Sequence, residues 1–261
     1  MPVTIGLGVA SPDERILSTI QAVGGEVDLV LFSHHGVVVD SFGSAATVVE
    51  ADEPEAALVA ALADGRISAA VRGSLPASST LKTLKLAMGV DHLERIALLE
   101  TANGHRFLLA PVGVDEGWTV AEKVRFVERG REVARSFGLP EGVAILSGGR
   151  LGDLGRHPAV DRTMADAELV ARLTGAEHTE ILIEKVAGQY GVVVAPDGIS
   201  GNLIFRTLTF LGAGKGHGAP VVNINKIFVD TSRASADYTN AIKLAKSLVE
   251  SQKSRLGTLS P

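Results

Sequence analysis

Three glycine-containing segments carry side chains suited to gripping an anion. Ser147-Gly148-Gly149-Arg150-Leu151-Gly152-Asp153-Leu154-Gly155-Arg156 follows the short apolar run Val143–Leu146. Glycines there leave amides open, and a planar guanidinium at Arg150 or Arg156 forks onto phosphate or carboxylate oxygens. The competing reading has both arginines solvated, or Arg150 paired with Asp153. Ala195-Pro196-Asp197-Gly198-Ile199-Ser200-Gly201-Asn202 reads as a strand end, a turn and a helix start, a place where amides and the helix dipole favour negative charge. An ordinary turn with Asn202 as cap explains the same residues. Asp230-Thr231-Ser232-Arg233 sets a hydroxyl beside a guanidinium ahead of the last helical segment, where capping and a surface ion pair are the bland alternative. Chains of alternating strands and helices gather the carboxyl ends of their strands on one rim. Together the three segments therefore point to a phosphate-bearing ligand.

Other chemistry is excluded or weak. The 261-residue chain has no Cys, which removes disulfides, thiol nucleophiles and iron–sulfur ligation. A net charge of −5 supplies no basic field for nucleic acid. Mean hydropathy is +0.24, yet apolar runs such as Val27–Phe32 are far shorter than the ~20 residues of a membrane span, so no membrane partner is expected. The first residues lack the positive region of a signal peptide, and a cytoplasmic location follows. Gly212-Ala213-Gly214-Lys215-Gly216 puts a glycine where a phosphate loop needs Ser or Thr, and Gly6-Leu7-Gly8 lacks the third glycine of a dinucleotide fingerprint. No Gly-x-Ser-x-Gly elbow is present. The seven histidines show no metal-ligand spacing, so no metal site is expected.

The elements that must position these residues alternate as in an α/β protein. Strands are expected at Thr4–Ala10, Val27–Phe32, Val37–Asp40, Ile67–Arg72, Val143–Leu146, Glu180–Glu184, Gly191–Ala195 and Pro220–Asn225. Helices are expected from a Ser11 cap to about Val23, from Asp52-Glu53-Pro54-Glu55 to a stop at Gly65, and over Leu81–Met88. Further helices follow from the Thr119-Val120-Ala121-Glu122 capping box to Gly138, and over Val160–Leu173, Leu203–Leu211 and Tyr238–Gln252. Asn103-Gly104 between Arg95–Glu100 and Arg106–Ala110 marks a hairpin, an antiparallel addition at the edge of a mixed, mostly parallel sheet. The expected division is an N-terminal lobe over 1–110 that includes the hairpin, a C-terminal lobe over 111–253 that carries the glycine loops, and a tail over 254–261.

Val192–Arg233, with APDGISGN and VDTSRA, resembles the C-terminal signature of the phosphate acetyltransferase and phosphate butyryltransferase superfamily. GSLPASSTLKTL, LLAPVGVDEGWTVAEKV and VAILSGGRLGD fall where that superfamily has its central motifs. Within it, DEGWT, SGGRLGD, DRTMADAELVARLTGAEH and PDGISGNLIFRTL look like the methanogenesis marker group MtxX, labelled as a methyltransferase subunit. The resemblance implies a two-lobed fold of the isocitrate dehydrogenase-like type, a homodimer, and a cleft between lobes. In the acyltransferases the thiolate of coenzyme A attacks an acyl phosphate and releases phosphate. Carried over by position, Ser232 and Arg233 hold phosphate oxygens while Gly201 and Asn202 line the same cleft. The aspartate expected seven positions beyond the Ser, as the base, falls on Thr239; Asp237 is the nearest carboxylate and the candidate catalytic residue. The implied function is a transferase that binds a phosphate-containing small molecule through Ser147, Gly148, Gly149, Arg150, Gly201, Asn202, Ser232 and Arg233, with Asp197 orienting the turn and coenzyme A as a further ligand. The alternative is a methyltransferase subunit, or a non-catalytic accessory protein with a methyltransferase partner.

Overall fold

The computed structural model describes residues 2–11, 13–37, 46–232 and 235–257. Two compact units emerge, one of residues 1–93 with 218–261 and one of residues 94–217. The expected division at residue 110 falls instead at the end of a strand inside the second unit. The hairpin pairs onto that unit's sheet, which carries it out of the N-terminal half.

The first unit holds strands β1 (Thr4–Val9), β2 (Asp28–Ser33), β3 (Thr47–Glu50), β4 (Ala69–Val71), and from the far end of the chain β11 (Ala219–Pro220) and β12 (Ile227–Asp230). Their order is β11-β12-β4-β1-β2-β3, parallel throughout except for the antiparallel pair β11–β12. β1 and β4 are shielded on both faces, as strands between two helix layers must be. Helices α1 (Glu14–Val23), α2 (Pro54–Ala63), α3 (Ala77–Met88) and α8 (Thr239–Gly257) supply those layers. On one side Phe32, Leu58, Leu62, Leu75, Leu84 and Phe228 form a continuous core. Gly6 and Gly8, weighed above as a dinucleotide loop, are buried inside β1.

Several segments differ from what their sequence leads one to expect. The α1 cap is Asp13, whose carboxylate accepts the Ile16 amide at 3.3 Å, rather than Ser11. The expected strand over Pro220–Asn225 is displaced to β11 and β12. Val37 lies in a turn, and the rest of the strand expected over Val37–Asp40 falls outside the described residues. Residues 254–257, expected as tail, continue α8.

The second unit holds β5 (Ala97–Glu100), β6 (Arg106–Ala110), β7 (Val143–Ile145), β8 (Glu177–His178), β9 (Val192–Val194) and β10 (Lys215–Gly216), ordered β10-β5-β6-β9-β7-β8. β6, β9, β7 and β8 run parallel; the hairpin β5–β6 and the short β10 are antiparallel additions at one edge, as Asn103-Gly104 foretells. α4 (Val120–Ser136) and α5 (Pro158–Thr174) pack side by side, joined by the buried pair Lys123 Nζ–Asp166 at 3.0 Å. Both arms of the Thr119–Glu122 capping box are formed. The run Glu180–Glu184 is not a strand: Glu180 takes a left-handed backbone, φ 60°, and a single turn, α6 (Ile183–Val186), follows. α7 (Gly198–Arg206) starts earlier than expected, because Asp197 caps it, and passes into a π-helical turn over Thr207–Leu211.

Candidate functional site

Parallel strands β7 and β9 end side by side, with Ile145 paired to Val194, so the segments that leave them share one edge of the sheet. In open α/β sheets ligands bind beyond the carboxyl ends of the strands, which is where this edge lies. Ser147 and Asp197 emerge on that edge.

The turn after β9 is tied to the segment after β6. Asp197 Oδ1 accepts the Ser200 amide at 2.8 Å, so this carboxylate serves as helix cap. Asn202 Nδ2 donates to the Val112 carbonyl at 2.9 Å. Gly201 is buried where any Cβ would overlap the Pro111 carbonyl oxygen, so the close approach of helix and segment demands glycine. Gly201 and Asn202 therefore brace the 111–113 segment, and Glu116, paired with Arg95 at 2.5 Å, accepts the Gly113 amide at 3.3 Å. Burial raises the Glu116 carboxyl above the ordinary carboxylate range, although Arg95 pulls the other way.

The loop after β7 is built differently. Gly148 donates its amide to Thr163 Oγ1 at 2.8 Å, Arg150 to Asp153 at 2.9 Å, and Leu151 to the Glu180 carboxylate at 2.8 Å. The open amides anticipated from the glycines are mostly spent within the fold. The Gly149 amide has no acceptor among the described residues. Asp153 takes the Arg150 amide on one oxygen and the Arg156 guanidinium, at 2.5 Å, on the other, and both hold its pKa below the usual range. Arg156 thus occupies the partner once considered for Arg150. The Arg150 side chain is exposed and has no ion-pair partner among the described residues.

Two residues that sequence spacing did not mark meet Ser147. The register Ile145↔His178 places His178 diagonally across from Ser147 on the same face of the sheet. His178 Nε2 lies 2.9 Å from Ser147 Oγ, and its Nδ1 lies 3.0 Å from Glu168 Oε1 on α5. The Gly149 carbonyl, also 2.9 Å from Ser147 Oγ, is a second acceptor within reach of the hydroxyl's one proton. A carboxylate only accepts, so Nδ1 carries the proton and Nε2 faces the hydroxyl. Glu180 clamps this loop: its carbonyl accepts the Ser147 amide at 2.9 Å and its carboxylate the Leu151 amide. Holding a non-glycine residue in the left-handed region costs of order 1–3 kcal/mol, and such residues gather at functional loops.

The third segment belongs to the first unit. Arg72, 3% exposed, donates to Asp230 at 2.5 Å and to the Leu75 carbonyl at 2.6 Å, and Thr231 Oγ1 donates to the Gly73 carbonyl at 2.9 Å. Ser232 is half-buried, and Arg233 lies outside the described residues. Asp237, the candidate base, is exposed and accepts the Thr239 amide at 2.8 Å, the position of a cap for α8. No cluster of three or more metal-type side chains exists among the described residues. Nor, among them, is any helix long and apolar enough to cross a membrane.

No family model matches the chain. Curated relatives do. A "Putative methyltransferase mtx subunit X" of Methanosarcina barkeri is 43% identical over 260 residues, covering 96% of this chain and 95% of the relative. The protein of the same name from Methanosarcina acetivorans is 45% identical over 258 residues, covering 96% and 92%. The chain belongs to the mtx subunit X family. A relative from Methanopyrus kandleri, named an "Uncharacterized methyltransferase", is 39% identical over 246 residues, 90% of this chain and 93% of its own. Among solved structures, a branched-chain phosphotransacylase from Enterococcus faecalis superposes with a TM-score of 0.73 at 17% identity, over 95% of this chain and 99% of that one. A phosphotransacetylase from Streptococcus pyogenes gives 0.67 at 17% identity, over 96% and 94%. The mtx subunit X fold is therefore the α/β fold of the phosphotransacylases, with two mixed, mostly parallel sheets.

Proposed function

We propose that this chain is a transferase-type subunit that binds a phosphate-containing small molecule at the loop after β7, in a two-lobed fold of the isocitrate dehydrogenase-like kind. The observation that carries the reading is Arg150, an exposed guanidinium without an ion-pair partner among the described residues, held on a loop whose amides are almost all pinned. A rigid loop presents a bidentate donor at little further ordering cost, which suits a phosphoryl group. The phosphotransacylase likeness of the fold supports the same ligand class. Calorimetric titration with inorganic phosphate, acetyl phosphate and coenzyme A tests it. Binding of at least one is expected, with about a 10- to 100-fold loss in Arg150→Ala, the worth of a charge-assisted hydrogen bond. Absence of binding up to millimolar concentrations, or affinity unchanged in the variant, overturns it.

A second reading is an accessory subunit of a methyltransferase without turnover of its own. The use of Asp237 as a helix cap favours it, since that removes the nearest carboxylate from the role of base, and the relatives' names place them in a methyltransferase. Stable co-elution with the methyltransferase, together with no turnover of acyl phosphates, would favour this reading over the first.

A further inference from the structure

The relay Ser147–His178–Glu168 goes beyond anion binding. Its parts come from three elements: Ser147 from the end of β7, His178 from β8, Glu168 from the outer half of α5. Hydroxyl, imidazole and carboxylate stand in series at 2.9 and 3.0 Å, the order and spacing of an activated serine. The carboxylate end is solvent-exposed, 55% for the Glu168 side chain, while the His178 ring is 5% exposed and Ser147 1%. The serine's single proton has two acceptors in reach, the Gly149 carbonyl and His178 Nε2, each 2.9 Å from Oγ, so a rotation of the hydroxyl hands it from one to the other. Two residues beyond the serine, the Gly149 amide has no acceptor among the described residues, which leaves a backbone donor unspent close to it in the chain. Glu180, in its left-handed conformation, fixes the serine's own amide.

We propose that Ser147 is a nucleophile toward the carbonyl carbon of a carboxylic ester or thioester, with His178 as its general base and Glu168 as the residue that positions the imidazole. Ser147 Oγ bonds to the carbonyl carbon as its proton passes to His178 Nε2. The carbonyl oxygen takes the negative charge facing the Gly149 amide. The C–O or C–S bond to the leaving group then breaks, and the leaving group takes the proton from His178. Water, deprotonated by His178, releases the acid and restores the serine. Ser147 is 1% exposed at rest, so reaction follows the parting of Ser147 Oγ from the Gly149 carbonyl, with the Gly148, Arg150 and Leu151 amides still tied.

Incubation of the full chain with a fluorophosphonate probe, followed by peptide mass spectrometry, is the test. The label is expected on Ser147 and is lost in Ser147→Ala. His178→Ala should slow labelling by about 10²–10⁴-fold, the range of general-base catalysis. Glu168→Gln, at a half-exposed position that tolerates change, should slow it at least about tenfold, with recovery in Glu168→Asp. Circular dichroism melts of each variant separate loss of fold from loss of the base. Absence of label on Ser147 in folded protein, or a rate indifferent to both His178 and Glu168, overturns the proposal. The Arg150→Ala titration stands apart, since it reads anion affinity and not serine reactivity.

Discussion

Arg72 in the first unit is 3% exposed, donates hydrogen bonds to Asp230 and the Leu75 carbonyl, and fastens β12 to β4. Arg150 in the second also follows a parallel strand, but it is exposed and has no ion-pair partner among the described residues. Both are arginines at strand ends with glycines beside them. One is a buried structural strut; the other is exposed and tied into no ion pair among the described residues. The difference teaches that a motif of arginine and glycine is not enough to name a binding residue, because burial and pairing decide its role. Sequence attention fell on Arg150, Arg233 and Arg156, and passed over Arg72, which GSLPASSTLKTL follows directly.

The contrast can be broken most forcefully at Asp230. Asp230→Ala leaves the Arg72 guanidinium buried without its carboxylate, and about 3–5 kcal/mol of stability should disappear in urea unfolding. A loss below ~1 kcal/mol would mean that Arg72 is no strut. Next, Gly201→Ala forces a methyl group against the Pro111 carbonyl and should cost about 1–3 kcal/mol. Gly152→Ala, with nothing within 4 Å of the new Cβ, should stay within about 0.5 kcal/mol. Similar losses at both would remove the case for close packing of α7. A pH series sharpens the view of the second unit. Burial opposes ionisation of Asp166, yet Lys123 and Arg162 outweigh it and hold the carboxyl below its ordinary value. A depressed folded pKa stabilises above the unfolded value of ~3.9 and loses that contribution as pH falls through it. Asp166→Asn should therefore flatten the acid limb of the urea midpoint between about pH 5 and 3. The smallest effect is expected at Arg150→Ala, within ~0.5 kcal/mol of wild type; a large loss would make Arg150 a second strut.

Much of the scaffold was legible because helix ends obey local chemistry. Thr119 and Glu122 form their box, Pro54 opens α2, and Asn103-Gly104 turns the hairpin. Short apolar runs were less informative. Val221–Ile224 and Ile227–Asp230 look alike as sequence, and only the pairing of β12 with β4 tells which is the strand. EILIE reads as a strand, but Glu180 has left extended backbone before it begins. The relay was invisible for another reason. His178 is 31 residues from Ser147 and 10 from Glu168, and neither separation is a motif. Strand register sets their meeting, and register is a property of paired backbones. Gly201, Asn202 and Asp197, expected at an anion site, lie just past the carboxyl end of β9, where they cap α7 and tie it to the 111–113 segment.

The return of residues 218–261 to the first sheet has a consequence for biosynthesis. β12 flanks β4, so until residue 230 has left the ribosome the nascent sheet ends in an uncovered, wholly apolar strand, Ala69-Ala70-Val71. Residues 94–217 carry all their own strand partners and are free to finish first, although they are translated later than most of the sheet that must wait. Premature termination anywhere before Ile227 should thus yield a chain with a sticky open edge, prone to pair with its own copies and a natural client for chaperones.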